Sequence, residues 1–192
     1  MNITVTLVTP CSRPENLLTI YKSIDFNLIK EWIIVYDISK GRTYEKKFEG
    51  YDKIKEEFHG NEESVVGHSQ RNFAINLIED GYIYFVDDDT IPHEGFWEIV
   101  KDLNEKNIHN KIITFDISLH PSVTKGNNIK VDHIDTAQFM FSKSLVLGAN
   151  VSFDFRRYNG DGIFITNIYK KFKKAHIYYN KVGSYYNYLR QV

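Results

Sequence analysis

Cysteine is almost missing from these 192 residues, and Cys11 is the single one. That excludes an intramolecular disulfide framework and points to a reducing, cytoplasmic setting. Charge of one sign is also missing. Twenty-four Lys and Arg face 25 Asp and Glu, for a formal net charge of -1. A protein built to hold a phosphate backbone carries a basic excess, so a dedicated nucleic-acid partner is excluded. No apolar run approaches the ~20 residues that span a bilayer, so no transmembrane segment is expected. The opening MNITVTLVTP lacks a basic start and reads as a strand, not a signal peptide. There is no fixed-period repeat, no low-complexity segment and no composition shift that would divide the chain. What is present is ordinary globular composition, 42% hydrophobic and 26% charged, enough for one domain spanning 1–192.

Strand and helix patterns alternate along the chain. Residues 3–9 are short and β-branched, 32–36 (WIIVY) and 82–86 (YIYFV) are continuous apolar runs, and 54–58, 112–117 and 137–142 also suit strands. Ser12 and Glu15 have capping-box spacing ahead of a helix through Leu17, Leu18, Tyr21 and Ile24, with Pro14 in its first turn. Ser69 suits the cap of a second helix whose inner face is Phe73, Ala74, Leu77 and Ile78, with Gly81 as its terminator. Phe96, Val100 and Leu103 mark a third helix. Residues 118–133 read as a mobile loop, 161–173 as a helix through Phe164, Ile168 and Phe172, and the aromatic end as strand. The whole reads as α/β, a mainly parallel central sheet flanked by helices.

In such sheets ligands bind where strands end. Three strand ends carry polar residues: Thr9 to Arg13, Asp37, and Asp87-Asp88-Asp89. Adjacent carboxylates after a buried strand repel one another and are costly to desolvate. A hard divalent cation, Mg²⁺ or Mn²⁺, relieves that cost, with water and substrate phosphates completing its shell. The competing reading is a solvated acidic turn that opens the next helix.

GHSQRNFAINLIEDGYIYFVDDDTIPHEGFWEIV (67–100) resembles the central segment of glycosyltransferases of the GT-A fold, with its DXD-type motif, as in the β-glucuronyltransferases. ITVTLVTPCSRPENL (3–17) and WIIVYDIS (32–39) resemble the first two strands of that fold, also found in family 2 glycosyltransferases. IDTAQFMF (134–141) and YNGDGIFI (158–165) continue the likeness more loosely. The resemblance implies a single Rossmann-like GT-A domain. It implies an enzyme that moves a sugar from a nucleotide-sugar donor, with uracil as the base, to a glycan or other hydroxyl acceptor.

Carried over residue by residue, it implies that Thr9, Pro10 and Arg13 line the nucleotide pocket and Asp37 receives the base. Arg71 would pair with an aspartate or a phosphate beneath the acidic segment. Asp88 would bind the ribose, and Asp89 would hold Mn²⁺ or Mg²⁺. Asp87 would share that shell or pair with Arg71, and His176 is a candidate third ligand. Asp135 and Gln138 would face the donor sugar or the acceptor. Asp161, behind a glycine at a helix start, would be the general base of an inverting transfer. Each residue also has a plain reading: His68 as an exposed loop histidine, Asp161 as a helix cap, and Tyr178, Tyr179, Tyr185, Tyr186 and Tyr188 as a packing cluster instead of a sugar platform. Two other functions compete. A sugar-nucleotide nucleotidyltransferase would carry a glycine-rich loop after the first strand, and PCSRPE has no glycine. A non-catalytic nucleotide-sugar or glycan-binding module would not need the acidic triplet and Asp161.

Overall fold

Runs of β-branched and aromatic residues set the frame. In the computed structural model, which describes residues 3–190, β1 (Val5–Cys11) is buried along its whole length and β2 (Glu31–Asp37) along all but its last residue. Strands of this kind need cover on both faces. Around them come α1 (Leu17–Ser23), β3 (Ile54–His59), α2 (His68–Leu77), β4 (Tyr82–Phe85), β5 (Ile91–Pro92), α3 (Glu94–Glu105), β6 (Ile112–Leu119), β7 (Ser122–Thr124), β8 (Phe139–Ser142), α4 (Lys143–Ala149), α5 (Gly160–Lys171) and β9 (His176–Tyr185).

The sheet runs β3-β2-β1-β4-β8-β6-β9-β5, with β7 paired to β6. β1 is parallel to β2 and β4, β2 to β3, and β6 to β9. β8 is antiparallel between β4 and β6, and β5 and β7 pair antiparallel at the margin. The result is the expected α/β architecture, a mixed and mostly parallel sheet flanked by helices. α1 and α3 cover one face through Leu17, Ile20, Phe96, Ile99, Val100 and Leu103. α2, α4 and α5 cover the other, where Phe164 stacks on Phe153 at 4.1 Å between centroids. Among the described residues no helix is long and apolar enough to cross a membrane.

Several local expectations are corrected. The Ser12/Glu15 capping box does not form, because Ser12 turns its backbone N–H and hydroxyl to Asp88 instead. α2 starts at His68 after Gly67, not at a Ser69 cap; Gly67 has φ +75°, and a Cβ there would lie 2.8 Å from Pro10. On α2 Ile75 is buried in place of Leu77, which is 43% exposed. Gly81 does not end α2, which stops at Leu77, but turns the chain into β4. The 118–133 segment is not all loop: Leu119 and Ser122 close a hairpin, and Asp116 holds Lys125 and the Gly126 N–H. The first two residues of the expected 137–142 strand are a 3-10 turn (Thr136–Gln138) that Asp135 caps.

Candidate active site

β1, β2 and β4 deliver their carboxyl ends to one side of the sheet, and the chain order reverses between β1 and β4. Ligands enter α/β sheets at such a point. A cavity of about 660 Å³ opens there, lined among others by Pro10, Arg13, Asp37, Arg71, Asp87, Asp88, Asp89, Asp135 and Asp161. That size suits a small-molecule ligand.

Asp88 builds the floor. One oxygen accepts from the Ser12 N–H at 2.6 Å, the Ser12 hydroxyl at 3.0 Å and the Arg13 N–H at 2.8 Å, while the other takes the Arg13 guanidinium. Both oxygens are spent, so Asp88 shapes the loop after β1 and is not free to take the ribose as expected. Arg13 reaches on to Asp89 at 2.8 Å, and the buried Arg71 pairs with Asp87. Asp37 accepts from Gln70 Nε2 at 2.9 Å, from the Ser39 hydroxyl and from Arg42.

The remaining carboxylates are strained electrostatically. Burial first, and then the neighbouring Asp87, raise the Asp89 pKa, although Arg13 works against them. Burial and Asp87 push Asp135 up to about 6. Asp161, at the start of α5, is raised by burial, opposed by the Gly162 N–H at 2.7 Å and by Arg71. Carboxylates raised by burial and by a neighbouring carboxylate offer the hard oxygens that a divalent cation favours. Among the described residues no three metal-ligating side chains converge on one point. The protein fits such a cation only as a partial shell, Asp87 and Asp89, with its other ligands left to phosphate and water.

Three expected residues stand apart from the cavity. Thr9 is fully buried and its hydroxyl accepts from Trp32 Nε1 at 2.9 Å, because alternation along β1 turns it into the sheet. Gln138 is spent on the 3-10 turn, receiving the Asp135 N–H at 3.0 Å. His176 begins β9, at the amino end of that strand, and contacts the Thr114 hydroxyl at 2.8 Å; it is no ligand of the acidic segment. His68, read as exposed, is 1% exposed. It stacks on Phe153 and takes a hydrogen bond from Arg71 on Nδ1 at 3.0 Å, and a Cβ on Gly160 would lie 2.8 Å from its ring. Of the tyrosines, Tyr178 and Tyr179 bond Asp116 and Asp102 outside the cavity, and Tyr186 enters it.

Gln70 and Arg42 were not foreseen as site residues, and Tyr186 was weighed only as one of a tyrosine cluster read mainly as packing. Gln70 adjoins Arg71 and Arg42 lies five residues beyond Asp37, so local spacing held a signal for both. Tyr186 arrives from the far end of β9, and only the sheet order brings it in.

No family model matches the sequence, and no curated protein matches it. Solved structures do. The fold is similar to S. aureus TarS residues 1–349, with a TM-score of 0.67 at 12% identity over 95% of this chain and 60% of that one. S. aureus TarS gives 0.66 at 10% identity, over 95% of this chain and 36% of that one. TarS 1–349 in complex with UDP-GlcNAc gives 0.60 at 12% identity, over 95% and 58%. The likeness at such identity is one of fold, and this chain spans 60% or less of those chains.

Two outcomes follow from the site's construction. Asp88→Ala should cost about 2–4 kcal/mol in urea unfolding, because two backbone donors lose their acceptor while Arg13, one-third exposed, turns partly to water. Burial first, then Arg71, lowers the His68 pKa to about 3. The fold therefore holds His68 neutral while the unfolded chain protonates it below about 6.5. Stability must fall as pH drops from about 6.5 towards 3. His68→Gln keeps an acceptor for Arg71 and should flatten the melting-temperature slope across that window.

Proposed function

We propose that this chain is a glycosyltransferase that moves a sugar from a nucleotide-sugar donor, with UDP as the nucleotide, to a hydroxyl of a glycan or other acceptor. The reading rests on one observation above all. A single cavity at the strand-order reversal gathers Asp37, the Asp87–Asp89 segment and Asp161 from three separate elements. The fold likeness to TarS, one form of which is a complex with UDP-GlcNAc, supports it. A cytoplasmic setting accords with the free, buried Cys11.

Asp37, fixed by Gln70 and Ser39, accepts a hydrogen bond from the base. Arg13 and Arg71 lie beside the acidic segment, where their guanidinium groups face the diphosphate. Asp89 and Asp87 hold Mn²⁺ or Mg²⁺, which when bound supplies positive charge to the leaving group. Asp135 borders the sugar. Asp161 removes the proton from the acceptor hydroxyl. As that oxygen bonds to the anomeric carbon from the opposite side, the bond to the diphosphate oxygen breaks and its electron pair leaves with the nucleoside diphosphate. Burial makes Asp161 a stronger base than a free carboxylate. Transfer therefore inverts the anomeric centre.

Asp161→Asn should bind UDP-sugar as the parent does in calorimetry and transfer ~10²–10⁴-fold more slowly. Loss of donor binding would make Asp161 a donor ligand, and a product that keeps the donor's anomeric configuration by NMR would overturn inversion. Asp89→Asn should keep the melting temperature but abolish the gain in UDP affinity on adding Mn²⁺; an unchanged gain would remove Asp89 from the metal shell.

A further inference from the structure

The end of the sheet opposite the cavity carries a surface with no part in the proposed reaction. β6 and β4 are both antiparallel to β8, so β6 runs in the direction of β4, and β9 runs with β6. The cavity lies at the carboxyl ends of β1, β2 and β4. The amino ends of β6 and β9 therefore lie at the other pole. There Lys111, Lys170, Lys171, Lys173 and Lys174 line one shallow depression of about 550 Å³ around Phe172.

Among the described residues none of these five lysines makes an ion pair, although Lys30, Lys55, Lys106, Lys125 and Lys181 each do. Set the five aside and the rest of the chain carries a formal -6, so these five lysines are a local excess of positive charge in a slightly acidic protein. Phe172, partly buried, packs against the core at the end of α5 and ties the cationic turn to the fold. Beside it stands α4. A Cβ on Gly148 would lie 3.0 Å from the Phe172 ring, and the adjacent Leu147 is 66% exposed. A turn of lysines without ion pairs among the described residues, flanked by an exposed aliphatic side chain, is the chemistry of an interfacial contact. Cations meet anionic headgroups, and an apolar residue enters the headgroup boundary.

We propose that this pole docks the protein on an anionic membrane surface, holding the nucleotide cavity towards the solution. A membrane suits the surface better than a soluble polyanion. The depression is shallow, carries an apolar side chain at its margin, and is lined by lysines with no arginine fork for a polymer's phosphates to engage. The contact lies across the sheet from the candidate active site, so it stands or falls independently of the proposed transfer.

The test is co-sedimentation of the full chain with phosphatidylcholine vesicles containing 0 or 30% phosphatidylglycerol, at low and at physiological salt. Binding is expected only with phosphatidylglycerol and should weaken as salt rises. The Lys170→Gln, Lys171→Gln, Lys173→Gln, Lys174→Gln variant should keep its melting temperature, since it breaks no ion pair. It should partition more than about 100-fold more weakly, from roughly fivefold per charge. Leu147→Gln should lower the binding that persists at physiological salt. Equal binding by parent and quadruple variant, no parent binding to anionic vesicles, or retention on soluble polyphosphate with no vesicle binding would each overturn the proposal.

Discussion

The buried carboxylate of Asp88 is the constraint on which the candidate site depends. It stands just past β4 and receives two backbone N–H groups, a hydroxyl and a guanidinium from the turn after β1. Adjacent parallel strands bring those two segments together, but hydrogen bonds to an ionised acceptor decide how the turn lies. With Asp88 in place, Arg13 is held over Asp89 and Asn16 can reach the Asp88 carbonyl at 2.8 Å. The same segment receives the chain's end, because Leu189 N–H bonds the Asp89 carbonyl at 2.9 Å. The Asp88 side chain thus joins the first strand to the acidic segment, and the Asp89 backbone joins that segment to Leu189.

Around that anchor, charge is arranged so that no carboxylate of the acidic segment is left wholly uncompensated. Arg71 takes Asp87, and Arg13 bridges Asp88 and Asp89. Arg71 is itself held from behind by His68, which the fold keeps neutral between Phe153 and the start of α5. A cationic His68 would repel Arg71. Guanidinium groups that already sit beside the carboxylates are positioned for an anionic ligand before it arrives, and preorganisation of that kind lowers the cost of binding.

The sheet also gives the molecule two chemically different poles. Carboxyl ends of parallel strands gather the aspartates and arginines of the cavity, and the amino ends of β6 and β9 gather unpaired lysines. Strand direction therefore places these two sets of side chains at opposite ends of the sheet.

Much of this was legible in the residues themselves. WIIVY and YIYFV are continuous apolar runs that can only be strands covered on both sides, and their polar ends mark the ligand edge. Phe96, Val100 and Leu103 follow helical period and are all fully buried. Pro10, Arg13, Asp37, Arg71, Asp87, Asp88, Asp89, Asp135 and Asp161 do line one cavity. Competition between partners was not legible. Ser12 has the spacing of a helix cap, yet a carboxylate 76 residues away is the stronger acceptor and takes it. Thr9 and Gln138 look like site residues until Trp32 and the Asp135 turn claim them. His176 has the chemistry of a metal ligand, but β9 begins at the wrong pole. Local period reports which face of an element is buried. Which polar group meets which is decided by strand order and direction, because those alone set the distances between residues remote in the chain.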